Sequence, residues 1–503
     1  MRAPSLGACL SNRQILLARE GRVRFYLRMS KTFRAWKIDE PLFLPPTVGD
    51  FVAEGHLTRF VLSLVRDDLD LAEITGTYGS ERGQPAFDPT MMTALLLYSY
   101  CCGIYSSRRI SKACRERVDF MSIVALDAPD FRTISDFRRR HLRALGGLFK
   151  QVLQLCEKAG LVKLGHVALD GTKIKANASK HKAMSYERME KRAAELEAEV
   201  GKWLSAAEAA DAEEDKLQGR DKTGDEMPEW VADKKRRAET IRKAKAELEE
   251  EAKAAAEAKL KAEAEAQEKR EAEGRRKPGP KAAPPSTEPD AKAQKNFTDP
   301  DSRIMKSKDG FVQAYNAQAA VDAEAQIIVA QDMTQSAVDS GQLVPMTDAI
   351  ETNLGRKPEQ LSADAGYCSE ANLEALENRS IDGYVATGRA RDAVAGTVKG
   401  EITATTPSPE PAGAPTRIEA MRAKIRAGGH ASPYRLRKQL PEPVFGQIKQ
   451  ARGFRQFLLR GFANVRAEWA IVCTVHNLLK LAAAKLAQRG TLSAALPPAL
   501  AAP

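Results

Sequence analysis

The sequence lacks the patterns of a membrane protein or of a secreted, disulfide-bonded one. No apolar run reaches about 18 residues, the length expected of a transmembrane helix. The basic N-terminal segment has no apolar core followed by a cleavage site, so it does not fit a secretory signal. Seven cysteines are scattered without CxxC spacing, at positions 9, 101, 102, 114, 156, 368 and 473. Their distribution indicates a reducing compartment, with neither a disulfide framework nor a zinc site.

An excess of acidic residues is also absent. The 503-residue chain has 78 Lys and Arg against 67 Asp and Glu, a formal net charge of +11. This balance favours a polyanionic partner, and an acidic small-molecule substrate would not need so much positive charge. Hydrophobic residues make up 43% of the chain, so a sizeable core is possible. At about 150 residues per domain, the length allows two to four domains.

The N-terminal third has the features of a basic helical module. Apolar residues recur at helical spacing in three stretches, Gly55–Leu69, Pro89–Tyr100 and Ile110–Val124. A basic helix is predicted within Pro129–Leu145, with Thr133 and Ser135 as candidate N-caps. Between Arg108 and Arg143 there are ten basic residues against five acids. A DNA-binding unit and an ordinary solvated helical face both fit this pattern. The candidate phosphate contacts are Arg138, Arg139 and Arg140.

A sharp change in composition marks an insertion. From about residue 180 to residue 273 the sequence is dominated by Ala, Glu and Lys, a composition typical of long helices. The Pro-rich segment RRKPGPKAAPPSTEP, Arg275–Pro289, follows as a linker. The pattern predicts a helical hairpin that grips DNA, grips a second subunit or acts as a spacer. The sequence does not choose among these three roles.

The stretch HVALDGTKIKANAS, His166–Ser179, contains the first candidate catalytic residue. An apolar run that ends at Asp170-Gly171 predicts a buried strand, a tight turn and a second, half-exposed strand. A carboxylate at the point where a strand leaves the core can hold a divalent cation against a phosphodiester. The alternative is that Asp170 is only a turn residue, since Asp-Gly is a common hairpin signal.

Two later segments supply two more candidate acids. In LSADAGYCS, Leu361–Ser369, a short strand is predicted to end at Asp364, before a helix over Glu370–Asn378. Glu442 is the single acid between Arg435 and Arg460, among seven basic residues. Acids from two strands and a helix can hold two metal ions about 3.5–4 Å apart, near the attacking and leaving oxygens. Mg²⁺ suits such hard oxygen ligands.

Other polar residues are interpreted as structural. Turn or cap positions are expected for three aspartates, Asp322, Asp332 and Asp339. No second histidine lies at metal-ligand spacing from His166 or His476. Glu468 begins an apolar helix, so it is interpreted as a charge that caps a core helix rather than as the third catalytic acid.

Several segments together resemble the DDE transposases of bacterial insertion sequences, whose catalytic domain has the ribonuclease H-like fold. They are DGTKIKANASKHKAMSY (Asp170–Tyr186), NFTDPDSRIM (Asn296–Met305), GFVQAYNAQAAVD (Gly310–Asp322), SADAGYCSEANLEAL (Ser362–Leu376), RKQLPEPVFGQIKQARGFRQFLLRG (Arg437–Gly461) and RAEWAIVCTVHNLLKL (Arg466–Leu481). DFRTISDFRRRH, Asp130–His141, resembles the family's N-terminal helical domain. The likeness covers roughly Ser30 to Leu481, and the number and order of the segments give it weight.

The resemblance implies an α/β protein with a ribonuclease H-like mixed sheet and flanking helices. To this it adds an N-terminal all-α domain and a long helical, coiled-coil-like insertion. The implied catalytic and metal-binding acids are Asp170, Asp364 and Glu442. The family's Tyr-Arg-Glu-Lys pattern falls on Tyr434, Arg437, Glu442 and Lys449, which implies DNA contacts for Tyr434, Arg437 and Lys449. Because the Arg-to-Glu gap is one residue longer than usual, Lys438 competes with Arg437 for the basic role.

The implied activity is metal-dependent DNA cleavage and strand transfer in the bacterial cytoplasm. The resemblance implies two Mg²⁺ ions, with Mn²⁺ as a substitute. The implied partners are double-stranded DNA, as element ends and target, and further copies of the chain in a homodimer or higher oligomer; no membrane is expected. Two alternatives remain open: a metal-dependent DNA nuclease of the same fold, and a catalytically inactive DNA-binding protein.

These features predict a chain of six parts. They are a disordered leader (1–29), an N-terminal helical DNA-binding domain (30–150), a ribonuclease H-like catalytic domain (160–179, 296–390 and 430–485), a helical insertion with its Pro-rich linker (180–295), a flexible loop (391–429) and a disordered tail (486–503).

Overall fold

The computed structural model describes residues 33–36, 47–79, 85–179, 182–218, 229–272, 284–307, 310–388 and 415–488. The predicted leader lies outside the described residues, as do 391–414 of the predicted flexible loop, 489–503 of the predicted tail and most of the Pro-rich linker. Helix α12, Arg417–Gly428, occupies much of the rest of the predicted loop. A Thr416–Glu419 capping box fixes its first turn, which corrects that part of the prediction. The six domain boundaries stay predictions.

The described chain before the first strand is helical. Its helices are α1 (Leu57–Ser63), α2 (Ala72–Thr75), α3 (Pro89–Cys101), α4 (Ser107–Glu116), α5 (Val118–Val124), α6 (Phe131–Arg140) and α7 (Leu142–Lys158). The predicted helix Ile110–Val124 is wrong as a single element, because Arg117 is extended between α4 and α5. The cap of α6 is Asp130, whose carboxylate accepts a hydrogen bond from Arg132 N, and not Thr133 or Ser135. The carboxylate is a strong N-cap one residue before the first turn.

A mixed sheet lies at the centre of the molecule. Its strands are β1 (His166–Lys175), β4 (Arg303–Ser307), β5 (Gly310–Asp322), β6 (Ile328–Thr334), β7 (Gln360–Ala363) and β8 (Asp382–Val385). β4 and β6 share one edge of β5, and β1, β7 and β8 follow on its other side. β1 is antiparallel to β5 but parallel to β7, which is parallel to β8. The mixed α/β architecture is consistent with the expected ribonuclease H-like domain.

The predicted Asp-Gly turn at Asp170 is wrong. β1 continues straight through Asp170 and Gly171 to Lys175. Its partner β5 pairs with it from Val167 to Lys175, and Asp170 faces Ala319 in this ladder. Backbone hydrogen bonds to a long neighbouring strand satisfy these groups and override the local turn preference.

Helices cover both faces and ends of the sheet. They are α10 (Leu343–Leu354), α11 (Glu370–Asn378, as predicted), α12, α13 (Leu436–Gln439), α14 (Pro441–Gly446) and α15 (Phe462–Gln488). α15 packs between α7 and β6, so it joins the N-terminal helices to the sheet. Buried Asn477 fastens it to the strand, because its amide exchanges hydrogen bonds with both Ile328 N and Ile328 O. By length and composition α15 could cross a membrane, but 72% of its apolar window is buried inside the protein.

Two long helices, α8 (Tyr186–Gln218) and α9 (Glu229–Ala272), form an arm between two short strands. These strands, β2 (Ala183–Ser185) and β3 (Gln294–Asn296), pair with each other at its base. Small and apolar side chains fill the contact between the helices: Met189, Ala193, Leu196, Ala238, Ile241, Ala244 and Leu248. Buried Lys295 anchors α9, because its ammonium lies 2.6 Å from Glu247 and 3.0 Å from Glu251.

Candidate active site

Asp170 and Asp364 are neighbours at one edge of the parallel part of the sheet. Leu169 faces Ala363 in the register of β1 and β7; Asp170 is the next residue of β1, and Asp364 is the first residue after β7. Apolar, fully buried residues on both strands hold this register, since a slip would expose them. The carboxyl ends of parallel strands are a common place for binding sites in α/β proteins.

The surroundings of Asp170 disfavour its negative charge. The pKa of Asp170 is raised to about 6, chiefly by burial and in smaller part by the charges of Asp364 and Asp339. The hydrogen bond from Gly171 N, 2.8 Å from Oδ1, and the charge of Arg437 act in the opposite direction. A buried carboxylate beside a second one favours any added positive charge. Oxygen donors of this kind fit a hard divalent cation.

Arg437 is the basic residue that reaches the acids. Its Nη1 lies 3.2 Å from Asp364 Oδ2, and its guanidinium lies over the ring of Tyr434, 5.8 Å from the centroid. Asp364 also accepts a hydrogen bond from Ala365 N at 2.7 Å. The next residue, Lys438, is exposed. The geometry therefore favours Arg437 over Lys438 for the basic role.

Lys449 contacts β1 just after Asp170. Its ammonium donates hydrogen bonds to Thr172 Oγ1 and, at 2.8 Å, to Lys173 O. Lys449 belongs to a π-helical turn, Gln447–Ala451, that continues α14. Such turns often mark functional positions in helices. The Lys449 ammonium is therefore bonded to Thr172, which lies two positions after Asp170 on β1.

Glu442 is not gathered with the two aspartates. It is exposed in the first turn of α14, beside Pro441, the first residue of the helix. α13 and α14 both lie against β1, so the helix start is close to the site although the side chain is exposed. Within the described residues, no group of three His, Cys, Asp or Glu side chains is placed to hold one metal ion. The role of Glu442 as the third acid stays a prediction.

Asp339 is the residue that sequence reasoning missed. Its expected turn or cap position agrees with the turn hydrogen bond from Gln342 N to Asp339 O, but its carboxylate also raises the pKa of Asp170. Asn316 Nδ2 and Gln318 Nε2 donate to Asp339 Oδ1 at 2.6 and 2.9 Å, and Lys173 Nζ is 3.4 Å away. The detectable signal was the pair of amides on the same face of an otherwise apolar strand, because buried amides need polar partners.

The other acids with structural interpretations have structural contacts. Asp322 accepts hydrogen bonds from Leu164 N and Glu324 N, and Asp332 forms a salt bridge with Arg466. His166 contacts Gln360 and Ser362, and His476 contacts Gln326 O, so both histidines fasten the sheet.

Glu468 is fully buried at the start of α15. Its carboxylate accepts hydrogen bonds from the backbone N–H groups of Leu458 and Leu459, which close the loop before the helix. Burial raises the pKa of Glu468 to about 7, while these hydrogen bonds and the charge of Arg138 act in the opposite direction. This residue therefore holds the loop before α15 in place.

The three arginines of α6 do not share one environment. Arg139 and Arg140 are exposed, and Arg139 pairs with Asp136 at 2.7 Å. Arg138 is only 7% exposed, and its guanidinium donates to Tyr105 O at 2.8 Å and to Ser107 Oγ at 3.2 Å. Because its donors are used inside the helical module, Arg138 is a packing residue, which corrects its assignment as a phosphate contact.

Two family models match the chain. The model described as "Transposase domain (DUF772)" matches residues 46–140, most of the N-terminal helices. The model described as "Transposase DDE domain" matches residues 410–482, from α12 to α15. The second match contains Arg437, Glu442 and Lys449. Neither a curated protein nor a solved structure matches the chain.

Proposed function

Since both matching models describe transposase domains, the chain is a DDE-type transposase of the insertion-sequence type, and we propose that it cuts and joins DNA at Asp170, Asp364 and Glu442. In the proposed reaction, water attacks a phosphodiester at the end of the element and the 3′ oxygen leaves. The freed 3′-hydroxyl then attacks a phosphodiester of the target, forming one P–O bond as another breaks. Reactions of this class depend on positioning and charge neutralisation.

The observation that carries the proposal is the position of Asp170 and Asp364 at matched places on two parallel strands. Two buried or half-buried carboxylates side by side are costly unless positive charge joins them. A divalent cation would be held by the carboxylates of Asp170, Asp364 and Glu442, and it would supply charge stabilisation at the scissile phosphate. We propose Mg²⁺, with two ions per site and Mn²⁺ as a substitute.

The basic and aromatic neighbours orient the substrate in this proposal. Arg437 keeps the Asp364 carboxylate directed into the site and adds positive charge beside the DNA backbone. The ring of Tyr434 packs against this guanidinium. Lys449, fixed against β1, provides a second cation for a phosphate near Asp170. An arginine's planar fork suits both carboxylate and phosphate oxygens.

DNA recognition is proposed for the exposed basic side chains of α4 and α6. Arg108, Arg109, Lys112, Arg132, Arg139 and Arg140 are exposed on these two helices. They form a surface of positive charge on a compact helical module, the usual basis of phosphate contacts. We propose that the protein works on double-stranded DNA as a homodimer or higher oligomer, since an element has two ends to join.

A cleavage and joining assay tests the proposal. Purified full-length protein is incubated with a labelled DNA fragment that carries the element's own ends, a target plasmid and Mg²⁺. The expected products are fragments with a free 3′-hydroxyl and covalently joined target DNA, both lost when EDTA is added. Cleavage without joined product would support the metal-dependent nuclease instead. Binding without either product, at any Mg²⁺ or Mn²⁺ concentration, would contradict catalysis and favour a DNA-binding protein.

A further inference from the structure

The carboxylate of Asp339 lies close to the residues that follow the two proposed catalytic aspartates along the chain. A Cβ placed on Gly171, the residue after Asp170, would meet Gln318 Nε2 first and would lie 2.8 Å from Asp339 Oδ1. A Cβ placed on Gly366, two residues after Asp364, would lie 3.4 Å from Asp339 Oδ2. A side chain at Gly171 would therefore clash with the carboxylate, whereas one at Gly366 would only touch it. The absence of a side chain at Gly171 lets Asp339 approach the backbone of β1.

The two oxygens of Asp339 have different surroundings. Oδ1 accepts the amides of Asn316 and Gln318 and faces Lys173. In the part of the chain that the structure describes, no donor is bonded to Oδ2, and the side chain is 22% exposed. The carboxylate is therefore partly accessible to solvent, and one of its oxygens has unused acceptor capacity.

Polar groups that support Asp339 are deeply buried. Asn316 and Gln318 are fully buried on β5, and Tyr367 donates its hydroxyl proton to Gln318 Oε1. Asn316 Oδ1 is buried without a hydrogen-bond partner among the described residues. Leaving a buried acceptor unpaired costs free energy, and a functional role of the network is one explanation of such a cost. The network connects β5, β1 and the segment after β7 through one carboxylate.

We infer that Asp339 is a positioning residue of the proposed cation site: Oδ1 fixes β1 beside Asp170, and Oδ2 orients the hydration shell of a divalent cation held by Asp170 and Asp364. The inference rests on the proposed function, because it assumes that the two aspartates bind metal. Carboxylates outside the ligand set commonly direct ligands and bound water in this way. Mg²⁺ in particular keeps several waters when it binds to proteins.

The test measures Mn²⁺ binding to the full-length protein by electron paramagnetic resonance of the free ion, without DNA. Asp339→Asn keeps an oxygen acceptor for Asn316 and Gln318 but removes the charge. We expect it to weaken Mn²⁺ binding about 10-fold, the lower end of the effect of outer partners on metal affinity. In cleavage assays the half-saturating Mg²⁺ concentration should rise by a similar factor, with a smaller change in the rate at saturating Mg²⁺. A merely structural role would not separate these two quantities.

Asp348→Asn is the matched control. It removes the same charge from α10, the helix just after Asp339, but Asp348 is exposed and paired with Arg379. We expect wild-type Mn²⁺ affinity for this variant. Gly171→Ala provides a second test that changes no charge: its Cβ would displace both the Gln318 amide and the Asp339 carboxylate that this amide holds, and should also weaken Mn²⁺ binding. If Asp339→Asn does not fold, the affinity of Gly171→Ala decides.

The outcomes separate this inference from the function on which it rests. Weaker Mn²⁺ binding by folded Asp339→Asn, or by Gly171→Ala where Asp339→Asn does not fold, supports it when the Asp348→Asn control is unchanged. Wild-type affinity in folded Asp339→Asn overturns the inference alone. Equal weakening by Asp339→Asn and Asp348→Asn also overturns it, because the effect would then follow net charge. No Mn²⁺ binding by the wild-type protein overturns the metal-dependent function as well.

Discussion

The guanidinium of Arg437 joins Asp364 to the ring of Tyr434: Nη1 is 3.2 Å from the Asp364 carboxylate, and the guanidinium lies over Tyr434. With 12% of its side chain exposed, Arg437 is held in this position by packing. Asp364 therefore has a fixed orientation before DNA arrives. Preorganisation of this kind lowers the cost of assembling a reactive geometry.

Replacement of either strand aspartate is expected to abolish cleavage. Asp170→Asn and Asp364→Asn each remove one negative charge and one anionic oxygen from the proposed cation site. DNA binding should change little, because neither residue is a proposed phosphate contact. Cleavage assays and gel-shift titrations measure the two properties separately. Normal cutting by either variant would remove that residue from the site, and Asp332→Asn serves as a control carboxylate on β6.

Glu442→Gln tests the acid that the geometry leaves apart from the other two. We expect it to eliminate Mg²⁺-dependent cleavage while the unfolding midpoint in urea stays close to that of the wild type, because Glu442 is exposed. Exposed substitutions usually change stability by less than about 0.5 kcal/mol. An active Glu442→Gln enzyme would mean that another carboxylate completes the site.

Arg437→Lys separates the shape of the guanidinium from its charge. Lysine keeps the positive charge but loses the planar fork and its contact with Tyr434. We expect the cleavage rate to fall by about 10-fold or more, as for other partners of metal-site ligands. Lys438→Ala removes a whole charge from the neighbouring exposed position and should have a much smaller effect. The reverse ranking of the two variants would assign the basic role to Lys438.

The salt dependence of DNA binding tests the exposed basic surface of the N-terminal helices. If Arg139 and Arg140 each neutralise one phosphate, the double glutamine variant should reduce the slope of log K against log salt by about 2. Arg138→Gln should leave this slope unchanged and lower the stability, because it breaks buried contacts to Tyr105 and Ser107. An unchanged slope in the double variant would identify these helices as an ordinary solvated surface.

Glu468 predicts a decrease in stability as pH rises. Its folded-state pKa of about 7 lies above the ordinary glutamate value of 4.5, chiefly because the side chain is buried. The folded protein therefore binds more protons between these values, so its contribution to stability is full below about pH 4.5 and falls until about pH 7. The shift corresponds to a loss on the order of 3 kcal/mol.

Glu468→Gln should flatten this dependence, since glutamine does not ionise. From pH 4.5 to pH 8, the unfolding free energy of the variant relative to that of the wild type should move in the variant's favour by on the order of 3 kcal/mol. Urea unfolding at several pH values measures the difference. Glu442→Gln, at an exposed position, is the control and should keep the wild-type pH dependence. Parallel curves for wild type and Glu468→Gln would show that Glu468 is not the titrating group.

Local patterns in the sequence predicted the surroundings of Asp364 well. The apolar run, the acid and the helix Glu370–Asn378 follow one another within twenty residues, so the signals are local. For Asp170 the sequence predicted the wrong local structure, a turn instead of a continuous strand. Its partner strand β5 begins about 140 residues later. A turn signal such as Asp-Gly depends only on neighbouring residues, so it carries no information about this pairing.

Long-range contacts also explain the residues that sequence reasoning misjudged. Asp339 looks like a loop acid until β5 brings Asn316 and Gln318 to it. Arg138 looks like its exposed neighbours, because a run of arginines does not show which one points inward. Its burial follows from the packing of α6 against the segment that contains Tyr105 and Ser107.

The salt bridges of Lys295 attach α9 to β3 near the middle of the helix. Glu247 and Glu251, the points of attachment, lie near the middle of one uninterrupted helix. At 1.5 Å per residue, about 30 Å of helix extends on each side of this fulcrum. A tilt of about 5° there would carry the two ends about 3 Å in opposite directions. A force on the outer end of α9 would thus rotate the helix about its attachment to β3. The chain continues from β3 into β4 of the mixed sheet.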